Sequence, residues 1–222
     1  RAVNGWSMDE VRQMEMTGEH CGVIGKQPDI IKKLVDYGVI LSCGPDIVDE
    51  SPDWIKDYGE QMNQFVLPFN TWIKSGVRLV GQHYGAGADN QGSRNFQPPF
   101  FMLWQAVTRQ YDGTVWQPEE RIHRVHALKM FTSWASEYVQ RPDRIGSLEV
   151  GKLADLLITD RDYLTVAEDD ILKIRPLMTM VGGKIIVLQE SLAHNFGVQS
   201  VGPPYNFEDE DVEHIGKSLS DI

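Results

Sequence analysis

The sequence predicts an α/β fold: parallel strands alternate with helices, and a short stretch of strands follows them. Apolar, β-branched runs at Val39 to Cys43 and Val77 to Gln82 lie between segments whose apolar residues recur at helical spacing. Such alternation lays a parallel sheet against covering helices. Past Gly146 the helical spacing stops and short apolar runs bounded by glycines take over.

The elements follow in order. Met8 to Met16 reads as a short helix, with Ser7 placed to cap it and Gly18 near its end. Gly18 to Ile24 is a short strand running into a loop. Pro28 to Tyr37 carries Ile30, Ile31, Leu34 and Val35 at helical spacing and stops at Gly38. Val39 to Cys43 is a buried strand, ended by Gly44-Pro45. Asp46 to Leu67 is a long connection with a helix around Trp54 to Phe65. Asn70 to Lys74 leads into the strand Val77 to Gln82, and a glycine-rich loop runs from Tyr84 to Asn95. Two helices are then expected. Pro99 to Arg109 presents Phe100, Leu103, Trp104 and Val107, and a longer one, Glu119 to Val139, is opened by Pro118. Leu156 to Thr159 and Met180 to Leu188 are strands, the latter broken by a Gly182-Gly183 turn.

Composition narrows the class. At 222 residues, with 41% hydrophobic and 24% charged residues, the chain has the make-up of an ordinary globular protein. Its net charge of −11 disfavours nucleic acid and anionic membrane surfaces as partners. No apolar run approaches the roughly 18 residues of a membrane-spanning helix. A basic stretch followed by an apolar one is absent from the start, and a cytoplasmic location is the expectation. Glu208, Asp209, Glu210, Asp211 and Glu213 concentrate negative charge near the end, as a solvated acidic tail does. Cys21 and Cys43 are too few for a disulfide scaffold, and a reduced, buried pair is expected.

The run Gly146-Ser147-Leu148-Glu149-Val150-Gly151-Lys152-Leu153-Ala154-Asp155-Leu156 resembles the G-S-L-x-x-G-K-x-A-D-L segment of the amidohydrolase superfamily. The likeness is to its family-3 metal-dependent hydrolases in particular. Other matches fall in the family's order. Glu19-His20-Cys21 resembles its E-H segment after the sixth barrel strand, and Tyr37 to Ser42 its seventh strand. Ser75-Gly76-Val77 resembles the entry to its eighth. Ala106-Val107-Thr108-Arg109 resembles A-V-T-R, Ala127 to Thr132 part of the helix A-L-x-x-x-T, and Thr179 to Lys184 the closing T-x-V-x-G-K strand.

The resemblance implies the C-terminal part of a TIM-like (β/α)8 barrel followed by strands of a small β-sandwich. Residues 1–142 would hold the last strand–helix units of the barrel, 143–190 the sandwich strands, and 191–222 the acidic tail. A whole barrel takes about 250 residues, so another chain or segment has to supply the N-terminal barrel half, and an oligomer is expected. The implied reaction is hydrolysis of a non-peptide C–N bond in a small molecule, an amide or N-acyl amine, by a water activated on a divalent metal, zinc foremost. His20 occupies a metal-ligand position. The family's G-S-D after the eighth strand reads Gly81-Gln82-His83 here. A histidine therefore stands where the proton-handling aspartate is expected. His83 acts as ligand or base in its place, or Asp89 farther along the loop takes the catalytic role, or the usual hydrolysis is lost. The alternatives are a different reaction on the same scaffold, or a non-catalytic subunit that completes a barrel. His123 and His126, three apart on a helix, are expected to serve ordinary packing.

Overall fold

The computed structural model describes residues 5–21, 24–81 and 99–202. Helix α1 (Met8–Gln13) opens with a reciprocal cap. The Ser7 hydroxyl accepts from the Glu10 amide, and the Glu10 carboxylate accepts from the Ser7 amide at 2.7 Å. Strand β1 (Thr17–Glu19) follows, then α2 (Pro28–Tyr37), which starts on proline and ends on Gly38 at φ 68°. Strands β2 (Ile40–Cys43) and β3 (Arg78–Gly81) complete a three-stranded sheet in the order β1-β2-β3. Both pairings are parallel, and the register aligns Glu19 with Ser42 and Ser42 with Val80. The predicted α/β arrangement is therefore present. Every residue of β2 is buried, whereas β1 and β3 each have one neighbour among the described residues.

The long connection between β2 and β3 is more ordered than its sequence suggests. It carries a 3-10 turn (Pro45–Glu50), α3 (Ser51–Tyr58), a second 3-10 turn (Glu60–Gln64) and α4 (Phe69–Lys74). The helix expected to run to Phe65 stops at Tyr58, because Gly59 at φ 88° turns the chain out of helical geometry.

Helix α5 (Pro99–Thr108) is mostly apolar, Gln105 and Thr108 apart, and is buried from Phe101 to Thr108. A small hairpin, β4 (Gln110–Tyr111) with β5 (Thr114–Val115), comes next. The single long helix expected over 119–139 is two short ones, α6 (Arg124–Met130) and α7 (Ser133–Tyr138). Pro118 opens only a three-residue 3-10 turn, and Arg121 leaves it in an extended conformation. The second break falls at Thr132, whose hydroxyl turns back to donate to the Leu128 carbonyl at 2.8 Å.

The last part is an antiparallel sheet in the order β6-β7-β8, from β6 (Leu156–Thr159), β7 (Pro176–Val181) and β8 (Lys184–Leu188). Gly182 and Gly183, both at positive φ, make the tight turn between β7 and β8. Strand β7 begins four residues earlier than the sequence suggested. Helix α8 (Glu190–Phe196) stands where the tail was expected to start, capped by Gly197 at φ 64°. Two cores result. The larger joins the parallel sheet to α4, α5 and the Tyr163–Ile174 stretch, around Leu41, Leu79, Phe69, Trp72, Phe101 and Ile171. The smaller holds Met178, Leu188 and Ala193. Among the described residues no helix is long and apolar enough to cross a membrane.

Candidate functional site at the strand ends

Parallel strands end on the same side, so the C-terminal ends of β1 and β2 bring His20, Cys21, Cys43 and Gly44 to one rim of the sheet. His20 is exposed and sits at φ 51°. That left-handed conformation is uncommon outside glycine, although histidine enters it more readily than most residues, and such outliers gather at functional sites. The turn at His20 is followed by a buried Cys21, 2% exposed, against Cys43, 0% exposed.

The two cysteines are joined in a disulfide with a Cα–Cα distance of 5.5 Å. They are buried as expected, but they are not the reduced pair that was expected. The physical reason is positional. Each cysteine closes or follows its strand, and the Glu19–Ser42 register holds those ends side by side at a separation ordinary for disulfides.

Behind this rim a buried polar network holds the segment after β1. Glu120, its side chain 2% exposed, accepts from the Thr71 amide at 2.9 Å and the Thr71 hydroxyl at 2.7 Å, and pairs with Lys26 at 2.9 Å. Lys26 also pairs with Glu119 at 3.0 Å. Burial alone would raise the Glu120 carboxyl, but its Thr71 and Lys26 partners outweigh that and hold it below the ordinary value. Lys26 is the mirror case: desolvation would lower it, yet Glu120 and Glu119 raise it. The indole N–H of Trp72 donates to the Gly25 carbonyl at 2.8 Å. Arg109, fully buried, donates to the carbonyls of Leu67, Val66 and Trp116 and to Gln117. Burial brings its guanidinium down to about 10, which still leaves it charged at neutral pH.

Of the predicted site residues, the structure places His20 at the strand-end rim. His83 and Asp89 lie outside the described residues, as does the glycine-rich loop. His123 and His126 form no metal site. His123 caps α6 by accepting from the Val125 amide at 3.2 Å, and His126 stacks on Trp134. Partial burial, with the nearby His123 and Lys129, lowers the His126 imidazole. Among the described residues no group of three or more His, Cys, Asp or Glu could hold a metal ion. The bonded cysteines are not thiolate donors, so among the described residues the rim offers one imidazole, which does not by itself fit an ion. Glu120 and Lys26 were not singled out from sequence, because Thr71 and Glu120, to which they bind, are remote in the chain; Arg109 figured only as the last residue of the A-V-T-R match.

The fold is shared with hydrolases of known structure. A metal-dependent hydrolase from Pyrococcus horikoshii OT3 superposes with a TM-score of 0.56 at 22% identity, over 72% of this chain and 32% of that one. A zinc- and atraton-bound atrazine chlorohydrolase mutant from Arthrobacter aurescens TC1 gives 0.53 at 20% identity, over 89% and 39%. The model of the amidohydrolase family matches residues 1–187, and the chain belongs to that family. It is 27% identical over 158 residues to an N-substituted formamide deformylase from Arthrobacter pascens, covering 68% of this chain and 27% of that protein. The chain thus spans about a quarter of the length of the curated relative it matches.

Proposed function

We propose that this chain is the C-terminal portion of a metal-dependent amidohydrolase that cleaves a non-peptide C–N bond in a small molecule, an amide or N-acyl amine. The observation that carries the reading is the family match over residues 1–187, with His20 at the C-terminal end of a parallel strand, where barrel enzymes keep their active sites. The formamide deformylase among its relatives points to N-formyl or other N-acyl amines as substrates.

In this reading β1, β2 and β3 are the last strands of a (β/α)8 barrel, and β6–β8 belong to a small β-sandwich. The domains run over 1–142 and 143–190, with 191–222 as an acidic tail whose start is taken up by α8. That β1 and β3 each pair on one side only among the described residues supports this, since a barrel pairs every strand. A second chain or segment supplies the remaining strands. Zinc is the proposed metal, and its contribution would be Lewis-acid polarisation of the substrate. His20 would supply a ring nitrogen to it, His83 would act as ligand or proton carrier, and Asp89 would handle the proton if His83 did not. The further donors come from outside the described residues.

The test is metal analysis of the purified full-length protein, with and without His20→Ala, alongside hydrolysis assays on a panel of N-formyl and N-acyl amines. About one or two zinc-like ions per complete protein, a clear loss of metal in His20→Ala, and release of free amine are the expected results. A folded, metal-free and inactive complete protein overturns the reading in favour of a non-catalytic barrel subunit.

A further inference from the structure

We propose that Lys26 is a positioning residue: held by Glu120 and Glu119, it fixes the turn after β1 and so sets where His20 stands at the strand-end rim. That this turn serves hydrolysis rests on the function proposed above; that Lys26 fixes it does not. His20 has a left-handed backbone at φ 51°, and a residue keeps such a conformation where its surroundings over-determine it. The ties run through the residues that follow. The Ile24 amide donates to the Cys21 carbonyl at 3.2 Å, which folds the chain back beside His20. Gly25 is at φ 64°, and a Cβ there would lie 2.6 Å from the Phe65 ring and 2.9 Å from the Gln64 carbonyl oxygen. Its own carbonyl accepts from the Trp72 indole at 2.8 Å. The Lys26 amide donates to the Gln64 carbonyl at 3.0 Å. Gln27, at the head of α2, donates from its side-chain amide to the Ile24 carbonyl at 3.1 Å.

These bonds hold the turn against one stretch, residues 64–72. The Lys26 ammonium reaches a second, remote one, pairing with Glu119 at 3.0 Å and Glu120 at 2.9 Å. Both carboxylate-bearing residues are themselves fastened to α4. Glu120 accepts from the Thr71 amide and hydroxyl, and the Asn70 side chain donates to the Glu119 carbonyl at 2.7 Å. The turn after β1, the first turn of α4 and the 3-10 turn at Pro118–Glu120 therefore meet on one ammonium. An ion pair with a partner 2% exposed adds little stability over apolar side chains of the same size. What it adds is a fixed place for the chain that carries it. Releasing Lys26 lets the turn shift, and a shift of about an ångström can slow a reaction by on the order of a hundredfold with the fold intact.

The experiment compares the natural full-length protein with Lys26→Met, Lys26→Arg and His20→Ala. One readout is the imidazole cross-peaks of His20 in chelator, assigned by their loss in His20→Ala. The other is steady-state kinetics on N-formyl and N-acyl amines. Lys26→Met is expected to shift the His20 cross-peaks and to lower kcat by about tenfold or more, with KM within about twofold and circular dichroism unchanged. Lys26→Arg, which keeps a cation for both carboxylates, should restore both readouts. Unmoved cross-peaks in folded Lys26→Met, or natural kcat in that variant while His20→Ala is inactive, overturns the positioning role and leaves the proposed function standing. A natural protein inactive on every amine overturns the proposed function instead, and the cross-peaks then decide the positioning role alone. If Lys26→Met fails to fold, Lys26→Gln is read by the same criteria.

Discussion

Glu120 carries a charge on a side chain only 2% exposed, and its partners Thr71 and Lys26 make that tolerable. Replacing it by glutamine removes the charge while keeping the shape, and should cost about 1–3 kcal/mol in urea unfolding at neutral pH. The pH dependence has a definite sign. The folded carboxyl lies below its ordinary value of 4.5, so its contribution is present above that value and is lost as pH falls through the folded value. Lys26 is raised above its ordinary 10.5, so its contribution holds below that value and is lost only as pH rises through the folded value. Unfolding midpoints of the natural protein and Glu120→Gln should therefore converge below pH 4.5 and stay apart at neutrality. None of this was legible in the sequence, where Lys26, Thr71 and Glu120 stand far apart. His20 was legible, because its place after a strand and beside Glu19 is local. The disulfide lay between the two cases. Both cysteines were visible at strand ends, but only the register sets them face to face.

At the scale of elements, β2, β3 and α2 follow their sequence signals closely and α5 nearly so, whereas β1 ends at Glu19, well short of Ile24. The long helix over 119–139 does not follow its signal, because its interruptions come from tertiary contacts. The Arg121 side chain donates to the Val107 carbonyl at 2.8 Å, and the Phe131 ring fills the space beside Gly81. A Cβ on Gly81 would lie 2.2 Å from that ring. The β4–β5 hairpin did have a local signal, Asp112-Gly113, with both residues at positive φ, though its strands are too short for an alternating pattern to register. Gly146, at the head of the turn after α7, is the more demanding glycine. It has φ 92°, and a Cβ there would lie 2.5 Å from the Ser136 hydroxyl oxygen and 3.0 Å from the Thr132 carbonyl oxygen. Gly146→Ala should lower stability by about 1–3 kcal/mol in chemical denaturation, whereas Gly151→Ala, strained but in open space, should cost less.

At the scale of the whole molecule, the two cores are unequal. The larger spans the sheet, the helices and the stretch to Ile174, while the smaller rests on three buried residues, Met178 and Leu188 of the three-stranded sheet and Ala193 of α8. Leu157, Val181 and Ile186 remain half exposed on that sheet. The sequence conveyed both units but not how little the second buries, since burial depends on what lies across from a strand. A small core of this kind should unfold first on heating, and the two transitions should not coincide. The six tryptophans offer an unplanned way to see this. Trp6, Trp54, Trp72, Trp104, Trp116 and Trp134 all precede residue 140, and Trp72 and Trp104 lie within the larger core. Indole emission therefore reports on the parallel-sheet part alone, and the β6–β8 unit is dark. Melting curves followed by tryptophan fluorescence should sit at higher temperature than those followed by far-ultraviolet circular dichroism, which sees both. The interval between them is an optical measure of how far the two parts of this chain have been left to stand alone.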